Sequence, residues 1–82
     1  MEFIVYILQS KITSKFYVGQ TSNLNRRFRE HNSAHSKSTK SGIPWKIVFT
    51  REFHSRSDAM TFEKYIKKMK SRDFIINLIS NI

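Results

Sequence analysis

The apolar segment Phe3–Gln9 constrains the fold of this chain more than any other feature. It is built mainly from β-branched, aliphatic and aromatic residues, a composition typical of a buried strand. A chain of 82 residues has room for one domain and buries roughly 60–65% of its unfolded surface, so its core must be used efficiently. We therefore expect a single domain over residues 1–82 with this strand in its core.

Two further segments predict strands. Residues 16–20 form a short run that we expect to pair with the first strand as a hairpin. Residues 46–53 alternate, with Trp45, Ile47 and Phe49 on one side, which is typical of a third strand. Residues 33–44 are small, polar and basic, and predict a loop that is long for so small a domain.

Three segments predict helices, over residues 22–32, 56–69 and 72–79. Their caps are predicted at Thr21 or Ser22, at Ser55 of the capping box SRSD, and at Ser71. Their inward-facing apolar residues are Leu24 and Phe28, then Ala59, Phe62, Ile66 and Met69, then Phe74, Ile75, Leu78 and Ile79. The order β-β-α-β-α-α predicts an α+β fold, a small three-stranded antiparallel sheet flanked by helices.

Charge and cysteine usage set the class of partner. Fifteen Lys and Arg against six Asp and Glu give a net charge of +9, which attracts polyanions. Nucleic acid is the expected partner, with ribosomal RNA and an anionic membrane surface left open, and the alternative is that the lysines only keep the chain soluble. The absence of Cys excludes disulfides and thiolate metal sites and favours a cytoplasmic location. The first apolar run is too short for a signal sequence or a membrane span.

The first predicted helix carries two candidate functional residues. At about 100° per residue, Arg27 lies roughly 60° from Leu24 and His31 roughly 20°. The helix therefore points a guanidinium and an imidazole towards the sheet, where Tyr6 and Tyr17 are expected. An arginine here can hold a phosphate bidentately and stabilise its transition-state charge. The alternative for Arg27 is a guanidinium that lies in water while the side-chain stem covers the apolar edge. The alternative for His31 is a residue near the helix C-terminus that only interacts favourably with the helix dipole.

Glu63 is the one acid on the inward side of its predicted helix, between Ala59 and Ile66. A carboxylate there costs desolvation energy unless a partner compensates it, and a divalent cation is one such partner. The alternative is a salt bridge to Lys67 at i, i+4. A single acid excludes the paired carboxylates of glycosidases and a two-metal or zinc cluster.

Four segments together resemble the GIY-YIG endonuclease superfamily: IVYIL, YVG, SNLNRRFREHN and FHSRSDAMTFEKYIKKMKSR. The likeness covers residues 3–79 and is closest to small bacterial proteins similar to the N-terminal nuclease domain of the excision-repair incision subunit. It implies a metal-dependent endonuclease that hydrolyses DNA phosphodiester bonds, in DNA repair or recombination. The alternative is a catalytically silent module that binds DNA or structured RNA.

The resemblance also implies a role for each matching residue. Tyr6 helps to activate or position the attacking water, Tyr17 contacts the nucleophile or phosphate, and Gly19 avoids crowding of the site. Arg27 stabilises the phosphate, His31 assists proton transfer, and Glu63 is the sole protein ligand of Mg²⁺ or Mn²⁺. Which of Tyr6, Tyr17 and His31 takes the proton stays open.

This chain departs from the family pattern at three points. Ile4-Val5-Tyr6 lacks the glycine of the first motif, and Gln20 stands where the repair enzymes often have Lys. Asn77 is the nearest counterpart of an asparagine that some family sites contain.

The remaining basic residues are expected to contact phosphates. They are Lys64, Lys67, Lys68, Lys70 and Arg72 of the later helices, and Lys37 and Lys40 of the loop. With no separate DNA-binding domain following, targeting is expected from the domain itself or from a partner protein, and the oligomeric state stays open.

Overall fold

In the computed structural model, which describes residues 2–80, three antiparallel strands form one sheet in the order β2-β1-β3. The strands are β1 (Phe3–Ser10), β2 (Phe16–Thr21) and β3 (Trp45–Phe53). The helices are α1 (Leu24–Asn32), α2 (Arg56–Met69) and α3 (Arg72–Ser80), with a 3₁₀ helix over Lys37–Gly42. The predicted α+β fold and the order β-β-α-β-α-α are confirmed, and each predicted boundary lies within two residues of the observed one.

The central strand β1 is buried on both faces. Val5 and Ile7 are fully buried on the face that packs against α2 and α3. Tyr6 and Leu8 are buried on the other face, which α1 covers. Helices on both sides of a short sheet explain why β1 is an uninterrupted apolar run without the alternation of a half-exposed strand.

The prediction that Trp45, Ile47 and Phe49 share one side of β3 is wrong. The register shifts by one residue, so that Ile7 pairs with Phe49 while Leu8 pairs with Ile47. Trp45 therefore packs in the Leu8 cluster and Phe49 in the Ile7 cluster, and 38% of Ile47 is exposed. A β-bulge inserts one residue into a strand, so simple alternation assigns the residues beyond it to the wrong face.

The cap predicted for α1 at residues 21–22 is also wrong. Asn23 is the N-cap, and its side chain accepts a hydrogen bond from the amide of Arg26 at 3.1 Å. Asparagine serves this position as well as serine or threonine, so residue type alone does not separate Asn23 from the two residues before it. The caps predicted for α2 and α3, Ser55 and Ser71, are confirmed.

Two details of the helices differ from expectation. Met69, predicted on the inward face of α2, is 44% exposed because the helix ends there and Lys70 takes a left-handed conformation with φ of 47°. The predicted loop 33–44 contains the 3₁₀ helix, whose Thr39 and Gly42 are buried. Gly42 lies against the ring of Trp45, where any Cβ would overlap the indole. Among residues 2–80, no helix is long and apolar enough to cross a membrane.

Candidate active site

Tyr6 and Tyr17 lie together on the α1 face of the sheet. Tyr6 pairs with Gly19, and Leu8 pairs with Tyr17, so the two tyrosines lie on adjacent strands and project to the same side. Their ring centroids are 6.4 Å apart. The prediction that both tyrosines share one face is therefore confirmed.

Gly19 provides the space that Tyr6 occupies. A Cβ at residue 19 would lie 2.6 Å from the hydroxyl oxygen of Tyr6 and 2.7 Å from its Cζ. The Tyr6 ring thus crosses the edge strand β2 at the one residue without a side chain. Gly19 does not have a positive φ, so the requirement is for clearance and not for backbone freedom.

His31 is fully buried in the last turn of α1 and meets both tyrosines. Its Nε2 lies 2.8 Å from the hydroxyl oxygen of Tyr6, and its ring centroid lies 4.9 Å from that of Tyr17. Its Nδ1 lies 2.9 Å from the hydroxyl of Thr39, which is also fully buried. These contacts go beyond a histidine that only complements the helix dipole.

Arg27 is half-buried on the same side of α1, where it contacts Glu30 and acts on both tyrosines. Its Nη1 donates a hydrogen bond to Glu30 Oε1 at 2.8 Å. The Glu30 carboxylate raises the pKa of Arg27, and Arg27 in turn lowers the pKa of Glu30. Tyr6 and Tyr17 also raise the pKa of Arg27, so the guanidinium is close enough to both tyrosines for electrostatic interaction.

The site fixes the protonation of Tyr6 and His31. Burial raises the pKa of Tyr6 to about 12, the nearby Tyr17 adds to the rise, and the charge of Arg27 opposes it. Burial lowers the pKa of His31 below its usual 6.5, Arg27 adds to the fall, and Glu30 opposes it. At neutral pH Tyr6 therefore carries its proton and His31 is uncharged, so the imidazole is free to accept a proton.

Glu63 approaches the site from α2, on the opposite face of the sheet. Its side chain is 17% exposed, and its Oε2 accepts a hydrogen bond from Lys67 at 2.7 Å. The predicted alternative, an i, i+4 salt bridge, is therefore present. The charge of Glu63 also contributes to the raised pKa of Tyr6, so its carboxylate acts on the tyrosine hydroxyl as well.

The chemistry of Glu63 and Gln20 fits a magnesium site that relies mainly on one carboxylate. Among residues 2–80 there is no cluster of three or more His, Cys, Asp or Glu side chains. Gln20 lies on the α2 side of β2, two residues after Val18, and its Oε1 is buried with no hydrogen-bond partner in the described chain. Mg²⁺ keeps several waters and uses few protein oxygens, so a carboxylate with a free amide oxygen suits it.

The basic residues lie on both faces of the sheet. Lys37 and Lys40 are exposed on the 3₁₀ helix, whereas Lys64, Lys68 and Lys70 are exposed on α2 and at its end. Two others have partners in the protein: Lys67 bonds Glu63, and Arg72 donates to the carbonyl of Ser14 at 2.9 Å. Asn77 is exposed on α3.

Sequence reasoning missed two residues of the site, Glu30 and Thr39. Glu63 is the one acid for which the sequence predicts a functional role, but Glu30 is only 32% exposed and bonds Arg27. Thr39 lies in a segment without periodicity, so no pattern marked it as buried. The only signal for it was the length of the predicted loop, since long loops in small domains are often functional.

Comparison with known proteins gives one consistent group. The protein-family model of the GIY-YIG catalytic domain matches residues 2–77 of this chain. A UPF0213 protein of Clostridium perfringens is 38% identical over 78 residues, which is 94% of this chain and 82% of that protein. The UPF0213 protein YsiG of Lactococcus lactis is 33% identical over 81 residues, covering 98% and 77%. The solution NMR structure of the UPF0213 protein BH0048 from Bacillus halodurans superposes with a TM-score of 0.63 at 34% identity, covering 98% of this chain and 84% of that one.

Proposed function

Because this chain belongs to the GIY-YIG catalytic domain family, a family of nucleases, we propose that it is a divalent-metal-dependent endonuclease that hydrolyses DNA phosphodiester bonds. The observation that carries the proposal is the 2.8 Å hydrogen bond between the Tyr6 hydroxyl and His31 Nε2. A silent binding module has no use for a buried, proton-accepting pair. A setting in DNA repair or recombination rests on the resemblance to the excision-repair incision subunit alone.

Tyr6 and His31 form the proton-accepting part of this mechanism. A tyrosine whose pKa is about 12 is not a phenolate at neutral pH, so it cannot act as a base by itself. It can take a proton from the attacking water while it passes its own proton to His31 Nε2. His31 suits this step because burial lowers its pKa and keeps it uncharged. We therefore assign the final proton acceptor to His31 and the transfer to Tyr6.

Tyr17 and Arg27 provide contacts for the phosphate. Tyr17 is half-buried beside Tyr6 and His31, with its hydroxyl in the same site. Arg27 carries a permanent charge, and the donors that Glu30 leaves free can bind a phosphate oxygen. Charge on the phosphate grows in the transition state, so a fixed guanidinium stabilises that state more than the ground state.

Glu63 would hold the divalent ion, with Gln20 as a second oxygen donor to the ion or its waters. A bound Mg²⁺ or Mn²⁺ supplies positive charge to the phosphate and to the leaving oxygen. Glu63 has to exchange its bond with Lys67 for this role. Lys67 is then free to bind a phosphate of the substrate.

A second candidate function is a nucleic-acid-binding module without catalysis. The salt bridge between Glu63 and Lys67 favours it, because that bridge satisfies the acid without a metal. The net charge of +9 serves both candidates equally. Cleavage therefore decides between them, and binding alone does not.

The test is a plasmid-nicking assay with Mg²⁺, with Mn²⁺ and with a chelator. Wild type is expected to nick only with a divalent ion, and Tyr6→Phe to lose about 10²–10⁴-fold in rate as the proton path is removed. The matched control is Tyr65→Phe, since Tyr65 is 50% exposed on α2 and away from the site. No nicking by wild type on DNA or RNA substrates, with binding retained, would establish the silent module instead.

A further inference from the structure

A groove of about 480 Å³ lies between β2 and the junction of α2 with α3, and it adjoins the candidate active site. We call it the β2 groove. Lys67 lines it and also bonds Glu63 of the candidate site. Tyr17 lines it as well, although its ring projects to the α1 face of the sheet. Its other charged side chains are Lys15, Lys70 and Arg72, and none of the acids within residues 2–80 lines it. A ligand in this groove is therefore anionic.

The walls of the β2 groove are apolar and partly aromatic. Phe16, Val18, Ile66 and Ile75 line it. The guanidinium of Arg72 lies over the face of the Phe16 ring, 4.8 Å from its centre, so the two planar groups form one cation–π pair at the groove. Flat surfaces of this kind bind the faces of nucleic-acid bases. A base in a duplex is stacked on its neighbours, so only an unpaired base can offer its face.

We propose that the β2 groove binds the unpaired strand of a nucleic acid next to the scissile phosphate. Phosphates contact Lys15 and Lys70, and a base packs against Phe16. This inference rests on the proposed function, because it takes Lys67, the partner of Glu63, as the point where the strand leaves the site. Lys15 directly precedes β2 and lies four residues before Gly19, so the bound strand extends on the order of 13 Å from the site.

The experiment measures binding of a fluorescent oligothymidylate and of a matched duplex, in chelator, so that cleavage plays no part. Lys15→Gln/Lys70→Gln is compared with Lys11→Gln/Lys46→Gln, which removes the same charge from two exposed residues outside the groove. The groove variant is expected to lose more affinity for the single strand than the control. The slope of log K against log salt concentration is expected to become shallower by about 1.4, because two phosphate contacts are lost. Phe16→Leu is expected to weaken single-strand binding about 5- to 100-fold and duplex binding little.

Two outcomes would overturn this proposal. Equal losses in the two double variants would mean that only overall charge matters. An unchanged affinity of Phe16→Leu for oligothymidylate would mean that no base packs against Phe16. The same result is expected if the groove binds an acidic protein segment instead of a nucleic acid. Failure of the proposed function would give a different result. A protein that binds the single strand in the β2 groove but never cleaves it would support the groove proposal and contradict the endonuclease proposal.

A second inference comes from the buried hydrogen bonds behind His31. The hydroxyl of Thr39 lies 2.9 Å from His31 Nδ1 and 3.4 Å from the carbonyl of Ser36. The carbonyl of Thr39 accepts a hydrogen bond from the Trp45 indole at 2.7 Å. Ser36, at the start of the 3₁₀ helix, and Trp45 of β3 thus hold Thr39 in place from two sides, and Thr39 is fully buried.

The number of protons decides the direction of these bonds. If Thr39 donates to Ser36, its oxygen accepts from His31 Nδ1–H, and Nε2 accepts from the Tyr6 hydroxyl. Every proton then has an acceptor. If Thr39 donates to His31 instead, Nε2–H points at Tyr6, and the buried Tyr6 proton has no acceptor among the described side chains. Leaving a buried donor unsatisfied is costly, so the first arrangement is favoured.

We infer that Thr39 is a positioning residue that fixes His31 as the Nδ1–H tautomer. This tautomer presents a bare Nε2 to Tyr6, which is what the proton transfer requires. When the proton arrives, Thr39 still accepts from Nδ1–H, so the imidazolium keeps both partners. Second-shell partners of a functional histidine orient the ring in this way in other sites.

The first measurement needs no variant. Imidazole ¹⁵N shifts of wild type at neutral pH are expected to show His31 protonated at Nδ1, whereas protonation at Nε2 would overturn the inference. Thr39→Val removes the hydroxyl at nearly constant shape and is expected to lower the cleavage rate about 10- to 100-fold at constant KM. Thr39→Ser keeps the hydroxyl and is expected to restore both tautomer and rate.

The thermal midpoint of each variant separates misfolding from loss of position. If Thr39→Val is folded and keeps the Nδ1–H tautomer, or is folded and cleaves at the wild-type rate, Thr39 is not a positioning residue. If it does not fold, the wild-type shifts and Thr39→Ser still decide the question.

Discussion

Arg27 Nη1 lies 2.8 Å from Glu30 Oε1, so the guanidinium assigned to the phosphate already has an acid as its partner. Arg26 also approaches Glu30, at 3.8 Å, but its side chain is 62% exposed. Glu30 therefore holds Arg27 in place and at the same time competes with a phosphate for it. The balance between these two effects can be measured.

Glu30→Gln is expected to raise DNA affinity about two- to fivefold, because an acid that competes with phosphate is removed. The rate at saturating substrate is expected to fall, since Arg27 loses the partner that orients it. Glu52→Gln is the matched control, with the same charge change at an exposed residue of β3. Titrations of a labelled duplex compare the three proteins, and equal affinities for both variants would show that Glu30 does not compete.

The neutral, buried His31 predicts a pH dependence of stability. Its pKa is below 6.5 in the folded protein, mainly through burial and then through Arg27, with Glu30 opposing. Between the folded and unfolded pKa values the unfolded chain binds more protons, so stability rises with pH in that interval. The stabilisation is complete above 6.5 and is lost as the pH falls below it.

Urea unfolding at several pH values between 5 and 7 measures this effect. His31→Gln is expected to remove most of the slope, whereas His35→Gln, at an exposed residue, is expected to keep it. A slope that survives His31→Gln would assign the titration to another group.

The sequence predicted more of the fold than of the contacts within the site. Helix and strand periods identified each strand and each α-helix but not the 3₁₀ helix. Helices on both faces leave β1 apolar throughout and give α1 and α2 clear apolar stripes. The inward face of α1, which carries Arg27 and His31, was predictable from the helical rotation of about 100° per residue. The β3 bulge and the buried Thr39 could not follow from periodicity, since both depend on how β3 and the 3₁₀ helix meet the rest of the core.

Partners of charged residues were predictable only where they are neighbours on one helix. The i, i+4 pair of Glu63 with Lys67 was expected and is present. The bond from Arg72 to the carbonyl of Ser14 joins residues 58 apart in the chain, and no local pattern encodes it. Likewise, Gly19 was expected to leave room in the site, but only the structure shows that Tyr6 occupies that room.

Gly19→Ala tests this close packing. The added methyl would lie 2.6 Å from the Tyr6 hydroxyl oxygen, so the ring has to move away from His31. We expect a loss of about 1–3 kcal/mol in the free energy of unfolding and a loss of cleavage close to that of Tyr6→Phe. The double variant Gly19→Ala/Tyr6→Phe relieves part of the clash and is expected to regain stability without activity. Full activity of Gly19→Ala would show that Tyr6 need not stay in its observed position.

Gln20→Leu should change stability and metal binding in opposite directions. Gln20 Oε1 is buried without a partner in the described chain, so an apolar side chain of similar size is expected to stabilise the fold by about 1 kcal/mol. If that oxygen serves the ion or its waters, Mn²⁺ binding measured by calorimetry becomes weaker. A variant that is more stable and binds Mn²⁺ as well as wild type would remove Gln20 from the site.

The contact between Glu63 and Lys67 separates the enzyme from the silent module most directly. As a salt bridge alone it is worth roughly 0.2–0.5 kcal/mol, and Glu63→Gln and Lys67→Met would then have equally small effects. As a metal ligand, Glu63 is expected to be essential: Glu63→Gln loses divalent-dependent nicking by about 10²-fold or more. It should keep its DNA affinity or gain some, because a negative charge leaves the site. Lys67→Met breaks the same bridge but keeps the carboxylate, so KM rises while kcat at saturating DNA holds. Nicking by Glu63→Gln at the wild-type rate would refute the assignment of the metal to this residue.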